Sequence, residues 1–125
     1  MTYVEAGALD GARILVVEDD FLISTEIDSI LADAGATVVG PCHTLAQAER
    51  LIAGSHISAA ILDFRLGDDT TLPVAEQLHR RGIPFVFFTG QMNTQQIERL
   101  CPGAKVINKP FQSRTIVAAL ADVLH

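Results

Sequence analysis

Ala12-Arg13-Ile14-Leu15-Val16-Val17-Glu18-Asp19-Asp20 is the stretch that decides the fold. Ile14 to Val17 run without a polar interruption and stop at three acids. A strand that is apolar at every position is buried on both faces, which is the habit of a parallel sheet covered by helices. Four later segments repeat the theme: Thr37 to Gly40, Ser58 to Asp63, Pro84 to Thr89 and Ala104 to Ile107. The segments between them carry a helical period instead. Ile23, Ile27, Ile30, Leu31 and Ala34 share one face, with Gly35 placed as a C-cap. Leu45, Ala48, Leu51 and Ile52 mark a second helix closed by Gly54, and Val74, Ala75 and Leu78 a third ended by Gly82. Thr94 to Leu100 is the poorest, anchored by Ile97 and Leu100, and Ile116, Ala119, Leu120, Val123 and Leu124 give a strong last one. Strands alternating with helices through short links predict a three-layer α/β/α domain with right-handed crossovers.

A chain of 125 residues is one domain. Nine Lys and Arg against fifteen Asp and Glu leave a net charge of −6, which argues against nucleic acid or an anionic membrane as the main partner. No apolar run approaches the roughly 18 residues of a membrane span. Met1 is followed by a mildly acidic stretch without the basic start of a signal peptide. Cys42 and Cys101 fit neither a disulfide framework nor a zinc pattern. These features imply a soluble, cytoplasmic domain over residues 12–125, preceded by a flexible lead-in at 1–11.

In an open parallel sheet, ligands sit beyond the carboxyl ends of the strands. Those ends read Glu18-Asp19-Asp20, then Asp63, then Thr89-Gly90, then Asn108-Lys109-Pro110. Crowded acids raise one another's pKa unless a cation holds them ionised, and a few hard oxygens suit Mg2+. Acids also cap helices, and that reading suits Asp20. It does not explain Asp63, which closes the apolar strand Ile61-Leu62-Asp63. A carboxylate there can attack phosphorus to form an acyl phosphate, if metal and positioned donors neutralise the phosphoryl oxygens. Thr89 offers a hydroxyl and Lys109 a positive charge of the right sign. Cys42-His43 and His56 read as loop residues remote from this edge and short of metal ligands. His79, with Arg80 and Arg81, reads as a solvated helix face.

The strings Ile14-Leu15-Val16-Val17-Glu18-Asp19-Asp20, Ala60-Ile61-Leu62-Asp63-Phe64-Arg65-Leu66, Phe88-Thr89-Gly90 and Lys109-Pro110-Phe111 resemble, in order, the signature of response regulator receiver domains. The resemblance covers roughly residues 12–124. It implies a flavodoxin-like (βα)5 fold whose five-stranded parallel sheet has the order 2-1-3-4-5. It implies that Asp63 accepts the phosphoryl group and that Glu18, Asp19, Asp63 and the backbone carbonyl of Arg65 hold Mg2+. Thr89 and Lys109 become the phosphoryl-sensing pair, with Lys109–Pro110 as a cis peptide. The phosphoryl donor is then a sensor histidine kinase or a histidine phosphotransfer protein, docking on the first helix and the loop around Pro110. The output is a switched protein–protein contact with a downstream target, without turnover of a separate substrate.

The sequence also departs from the family. Val106 occupies the place of an aromatic three positions before the lysine, and Arg65 and Gln91 stand two residues after Asp63 and Thr89. Phe87-Phe88-Thr89-Gly90 partly resembles single-domain receivers carrying Phe-Ala-Thr-Gly. Two other functions compete. A Mg2+-dependent phosphohydrolase of the haloacid dehalogenase kind also uses an aspartate nucleophile, but wants a second acid where Arg65 stands. A degenerate receiver, acting as a constitutive binding module, sits badly with the intact set of Glu18, Asp19, Asp63, Thr89 and Lys109.

Overall fold

Twelve elements follow one another in the computed structural model, which describes residues 7–90 and 93–125. They are β1 (Arg13–Val17), α1 (Phe21–Asp33), β2 (Thr37–Cys42), α2 (Leu45–Gly54), β3 (Ala59–Asp63), β4 (Arg65–Leu66) and β5 (Asp69–Thr70). Then come α3 (Leu72–Arg80), β6 (Phe85–Thr89), α4 (Thr94–Leu100), β7 (Lys105–Asn108) and α5 (Ser113–Leu124). Five strands form one sheet in the order β2-β1-β3-β6-β7, every neighbouring pair parallel. This is the 2-1-3-4-5 arrangement of the flavodoxin-like fold. β6 and β7 hold the fourth and fifth places because a small antiparallel hairpin, β4–β5, interrupts the link from β3 to α3. The sequence pattern did not announce that hairpin, since two-residue strands carry no periodicity.

The apolar strands divide their side chains between two cores. Ile14, Val16, Ile61, Val86 and Phe88 face a cluster shared with Ile27 and Leu31 of α1 and Ile116 and Leu120 of α5. Leu15, Val17, Leu62 and Phe87 face the opposite cluster, with Ile52 of α2, Leu78 of α3 and Ile97 of α4. Alternate residues of one strand thus enter different layers, so every position must be apolar. Burying each such side chain is worth about 1.5–3 kcal/mol against leaving it in water. β1 and β3 lie in the middle of this sandwich, which holds the acids at their ends on a rigid base.

Three expectations shift. Leu100 is 53% exposed and is no anchor; Ile97 is the buried residue of α4. A helix of only seven residues turns too little surface toward the core to use both. Residues 1–6 of the expected lead-in lie outside the described residues, but Leu9 is buried against α1, with its amide donating to Ala34 O at 2.9 Å. Cys42 closes β2 at the acidic edge of the sheet, so Cys42-His43 is not remote from it. Gly40 makes this possible. Its φ of 102° belongs to glycine, and a Cβ there would stand 2.8 Å from Cys42 N. The β1–β2 register shifts at this point.

α1 begins as its sequence suggested. Asp20 is the N-cap, its Oδ1 accepting from the amides of Leu22 at 2.9 Å and Ile23 at 3.1 Å. Asp20→Ala should therefore cost about 1 kcal/mol in urea unfolding, whereas Asp20→Asn, which also caps, should cost a few tenths at most. Equal losses in both variants would show that the charge, not the cap, is what matters.

Candidate functional site

Every residue of β3 is buried, and Asp63 ends it only 6% exposed, opposite Phe88 of β6. Its Oδ1 accepts the Arg65 amide at 3.3 Å and its Oδ2 accepts from Lys109 Nζ at 3.2 Å. Glu18 follows β1, and its amide donates to Cys42 O at 2.9 Å, which ties it to the end of β2. Its Oε1 accepts the Asp20 amide at 2.8 Å. Its Oε2 is buried without a hydrogen-bond partner, 3.7 Å from Lys109 Nζ. Asp19 is exposed, and its Oδ2 accepts the Gly67 amide at 2.9 Å from the tip of the β4–β5 hairpin. One carboxylate oxygen from each of Glu18, Asp19 and Asp63 lies within 4.8 Å of the other two.

Lys109 enters from the opposite side. Its amide donates to Thr89 O at 2.8 Å, which seats the residue at the edge of β6, and the Lys109–Pro110 peptide is cis. Its Nζ lies 4.9 Å from the centre of the Phe88 ring, so an aromatic face and two carboxylates flank the half-buried ammonium. The surface, snorkelling fate of most lysines does not apply. Thr89 is buried one residue past Phe88, its hydroxyl accepting from Asn93 Nδ2 at 3.1 Å. Arg65, standing where a phosphohydrolase of the haloacid dehalogenase kind would carry a second acid, is exposed, and its guanidinium lies 5.9 Å from the Phe64 ring centre. Val106 is half-buried against the α2–α3 side of the sheet. Gln91 lies outside the described residues.

The sequence reading gave no site role to three groups at this edge. His43 Nδ1 lies 2.8 Å from Glu18 O, and its amide is held by Gln47 Oε1. Asn93 takes the Thr89 hydroxyl, and Thr71 reaches the backbone of Asp63. Each is a common polar residue in a loop, with nothing in its spacing to mark it. His56 does stay at the amino edge, where its carbonyl accepts from Arg13 Nε at 2.9 Å. A hollow of about 720 Å3 opens between β7 and α5, lined in part by Ala118, Ala121 and Arg114, and contains none of the site residues.

Comparison with known proteins identifies the domain. The profile of the response regulator receiver domain matches residues 14–121, most of the chain. The chain belongs to that family. Among solved structures, SdrG of Sphingomonas melonis is 38% identical, with a TM-score of 0.80 over 94% of this chain and 98% of its own. A response regulator receiver protein of Sinorhizobium medicae is 25% identical, with a TM-score of 0.81 over 93% of this chain and 96% of that one. The phyllosphere-induced regulator PhyR of Methylorubrum extorquens is 26% identical over 96% of this chain. The present chain spans 46% of that relative's length. No helix among the described residues is long and apolar enough to cross a membrane.

The receiver's acidic edge is electrostatically uneasy. Burial, and then the facing Asp63 carboxyl, push the Glu18 pKa from 4.5 up to about 8, against the pull of the Asp20 amide and Lys109. Between those two values the folded chain keeps a proton that the unfolded chain has released, so stability falls as pH rises through the window. In metal-free buffer the melting temperature should decline from about pH 4.5 toward pH 8. Glu18→Gln should flatten that decline, and a Glu18→Gln profile as steep as wild type would assign it to another group.

Proposed function

We propose that the chain is a phosphorylation-controlled switch in which Asp63 is the phosphoacceptor. The observation that carries this reading is the meeting of Asp63 with Glu18, Asp19 and the Lys109 ammonium at the carboxyl edge of a receiver fold. Mg2+ fits the donor set. Three carboxylates face one ammonium, and the buried Glu18 Oε2 has no hydrogen-bond partner, so a hard divalent cation would supply both charge and coordination. Glu18, Asp19, Asp63 and the Arg65 carbonyl would hold it, and it would neutralise phosphoryl oxygens during transfer.

An Asp63 carboxylate oxygen forms the bond to phosphorus as the nitrogen–phosphorus bond of a donor phosphohistidine breaks. The departing imidazole takes a proton from solvent. Lys109 stabilises the charge on the transferred group, and the Thr89 hydroxyl donates to a phosphoryl oxygen. The donor is a sensor histidine kinase or a histidine phosphotransfer protein in the cytoplasm. Phe21 and Leu22, 72% and 78% exposed on the first turn of α1, offer it an apolar footing next to the acids, and Pro110 is exposed nearby in sequence to Lys109. The result is a changed protein-binding surface and no turnover of a separate substrate.

Incubation with acetyl phosphate and Mg2+ should add one phosphoryl group by intact mass, and Asp63→Asn should abolish the adduct. Labelling that persists in the Asn variant would sink the assignment.

The signal leaves through the start of α4. Val106 is short and stiff at χ1, so it cannot swing as an aromatic would. α4 has Ile97 as its buried residue, and Asn93 at its start holds the Thr89 hydroxyl directly. Local reordering there is cheap. Beryllofluoride, a phosphoryl mimic, should change hydrogen-exchange protection across residues 90–100 while Val106 keeps its rotamer. Changes concentrated in β7, with 90–100 silent, would contradict this route.

A further inference from the structure

We infer that Thr71 is a positioning residue for Asp63: its buried hydroxyl anchors the backbone carbonyl of the nucleophile and thereby sets how fast the carboxylate attacks. The inference rests on the phosphoacceptor reading of Asp63. Thr71 is fully buried, and its Oγ1 donates to Asp63 O at 2.8 Å, with a longer approach to Phe64 O at 3.4 Å. Its amide donates to Phe64 O at 2.9 Å. Main chain and side chain of one residue thus close the excursion from Phe64 to Thr70 back onto the end of β3.

The hydroxyl has been diverted to do this. Thr71 occupies the N-cap position of α3, where a threonine ordinarily turns its oxygen toward the amides of the first helical turn. Here φ is −87° and ψ is 12°, away from the extended conformation of a normal cap, and no side-chain cap bond forms. Pro73 stands at the second helical position and has no N–H to be capped. The helix start therefore makes a smaller claim on the hydroxyl, which turns back to the sheet.

What hangs on the anchor is the carboxylate itself. Asp63 is the last residue of β3, and the Arg65 amide that meets its Oδ1 belongs to the excursion. The hairpin tip is tied separately, through Gly67 to Asp19. Without the Thr71 hydroxyl, the return of the chain at Asp63 loses its side-chain tether, and both the Cα–Cβ direction of Asp63 and its Arg65 contact are freed to drift. Attack on phosphorus tolerates little of this, since a misplacement of about 1 Å can cost roughly a hundredfold.

The test compares Thr71→Val, which keeps the shape and loses the hydroxyl, with Thr71→Ser, which keeps the hydroxyl and loses a methyl. Phosphoryl uptake from acetyl phosphate in Mg2+ is followed by intact mass, well below each variant's melting temperature. The Val variant should lose roughly tenfold in maximal uptake rate, with the half-saturating donor concentration within about twofold of wild type. The Ser variant should stay within about twofold of wild type in both. A merely structural threonine would lower the melting temperature without this split. Wild-type uptake by the Val variant, or a Ser variant as slow as Val, would overturn the inference while leaving Asp63 as acceptor. If the Val chain does not fold, Thr71→Ala against Thr71→Ser decides on the same criteria. Label retained in Asp63→Asn would overturn the acceptor reading, and this inference with it.

Discussion

Lys109 reaches Asp63 at 3.2 Å and Glu18 at 3.7 Å, so one ammonium stands against three carboxylates at a partly buried edge. That imbalance is the constraint the rest of the structure serves. Left free, crowded acids would swing apart into water, where repulsion and desolvation are both relieved. Here they are not free. Glu18 follows β1 and Asp63 ends its neighbour β3, both strands covered on their two faces, and the Glu18 amide is pinned to β2. The two cores thus do more than stabilise the domain: they oblige carboxylates to share a space that a cation would make comfortable.

The surrounding loops repeat the same logic on a smaller scale. Each acid meets a fixed backbone amide: Asp20 for Glu18, Arg65 for Asp63, Gly67 for Asp19. Such donors set the direction of each oxygen. Lys109 is held at its amide by Thr89, and Thr89 at its hydroxyl by Asn93. The edge is therefore a chain of short contacts running from β1 through β3 to β6 and on to the start of α4. Helix α4 has Ile97 as its buried side chain.

How much of this was legible depended on what kind of signal each part carries. The strands were readable because burial on two faces forces unbroken apolar runs such as Ile14 to Val17. The site acids were readable because a charge directly after such a run has few structural excuses. Leu100 misled because a leucine at helical spacing looks the same whether or not the helix is long enough to bury it. His43 was placed at the wrong edge because the turn at Gly40 and the shifted β2 register carry Cys42 one step further than a regular strand would. The β4–β5 hairpin and the Thr71 anchor left no pattern at all. The anchor rests on one hydroxyl reaching back across eight positions, and a threonine before Leu72-Pro73 reads first as an ordinary helix cap.

The central claim, that the fold holds its acids together at a cost which a cation removes, is tested most directly on Asp19→Asn. Asparagine keeps an oxygen for the Gly67 amide and removes one charge from the cluster, so any change reports on electrostatics. Melting temperatures of wild type and variant are compared with and without Mg2+. The account predicts a higher metal-free melting temperature for the variant, and a Mg2+-induced rise that is large in wild type and much smaller in the variant. A variant no more stable than wild type without metal, and equally stabilised by Mg2+, would contradict it.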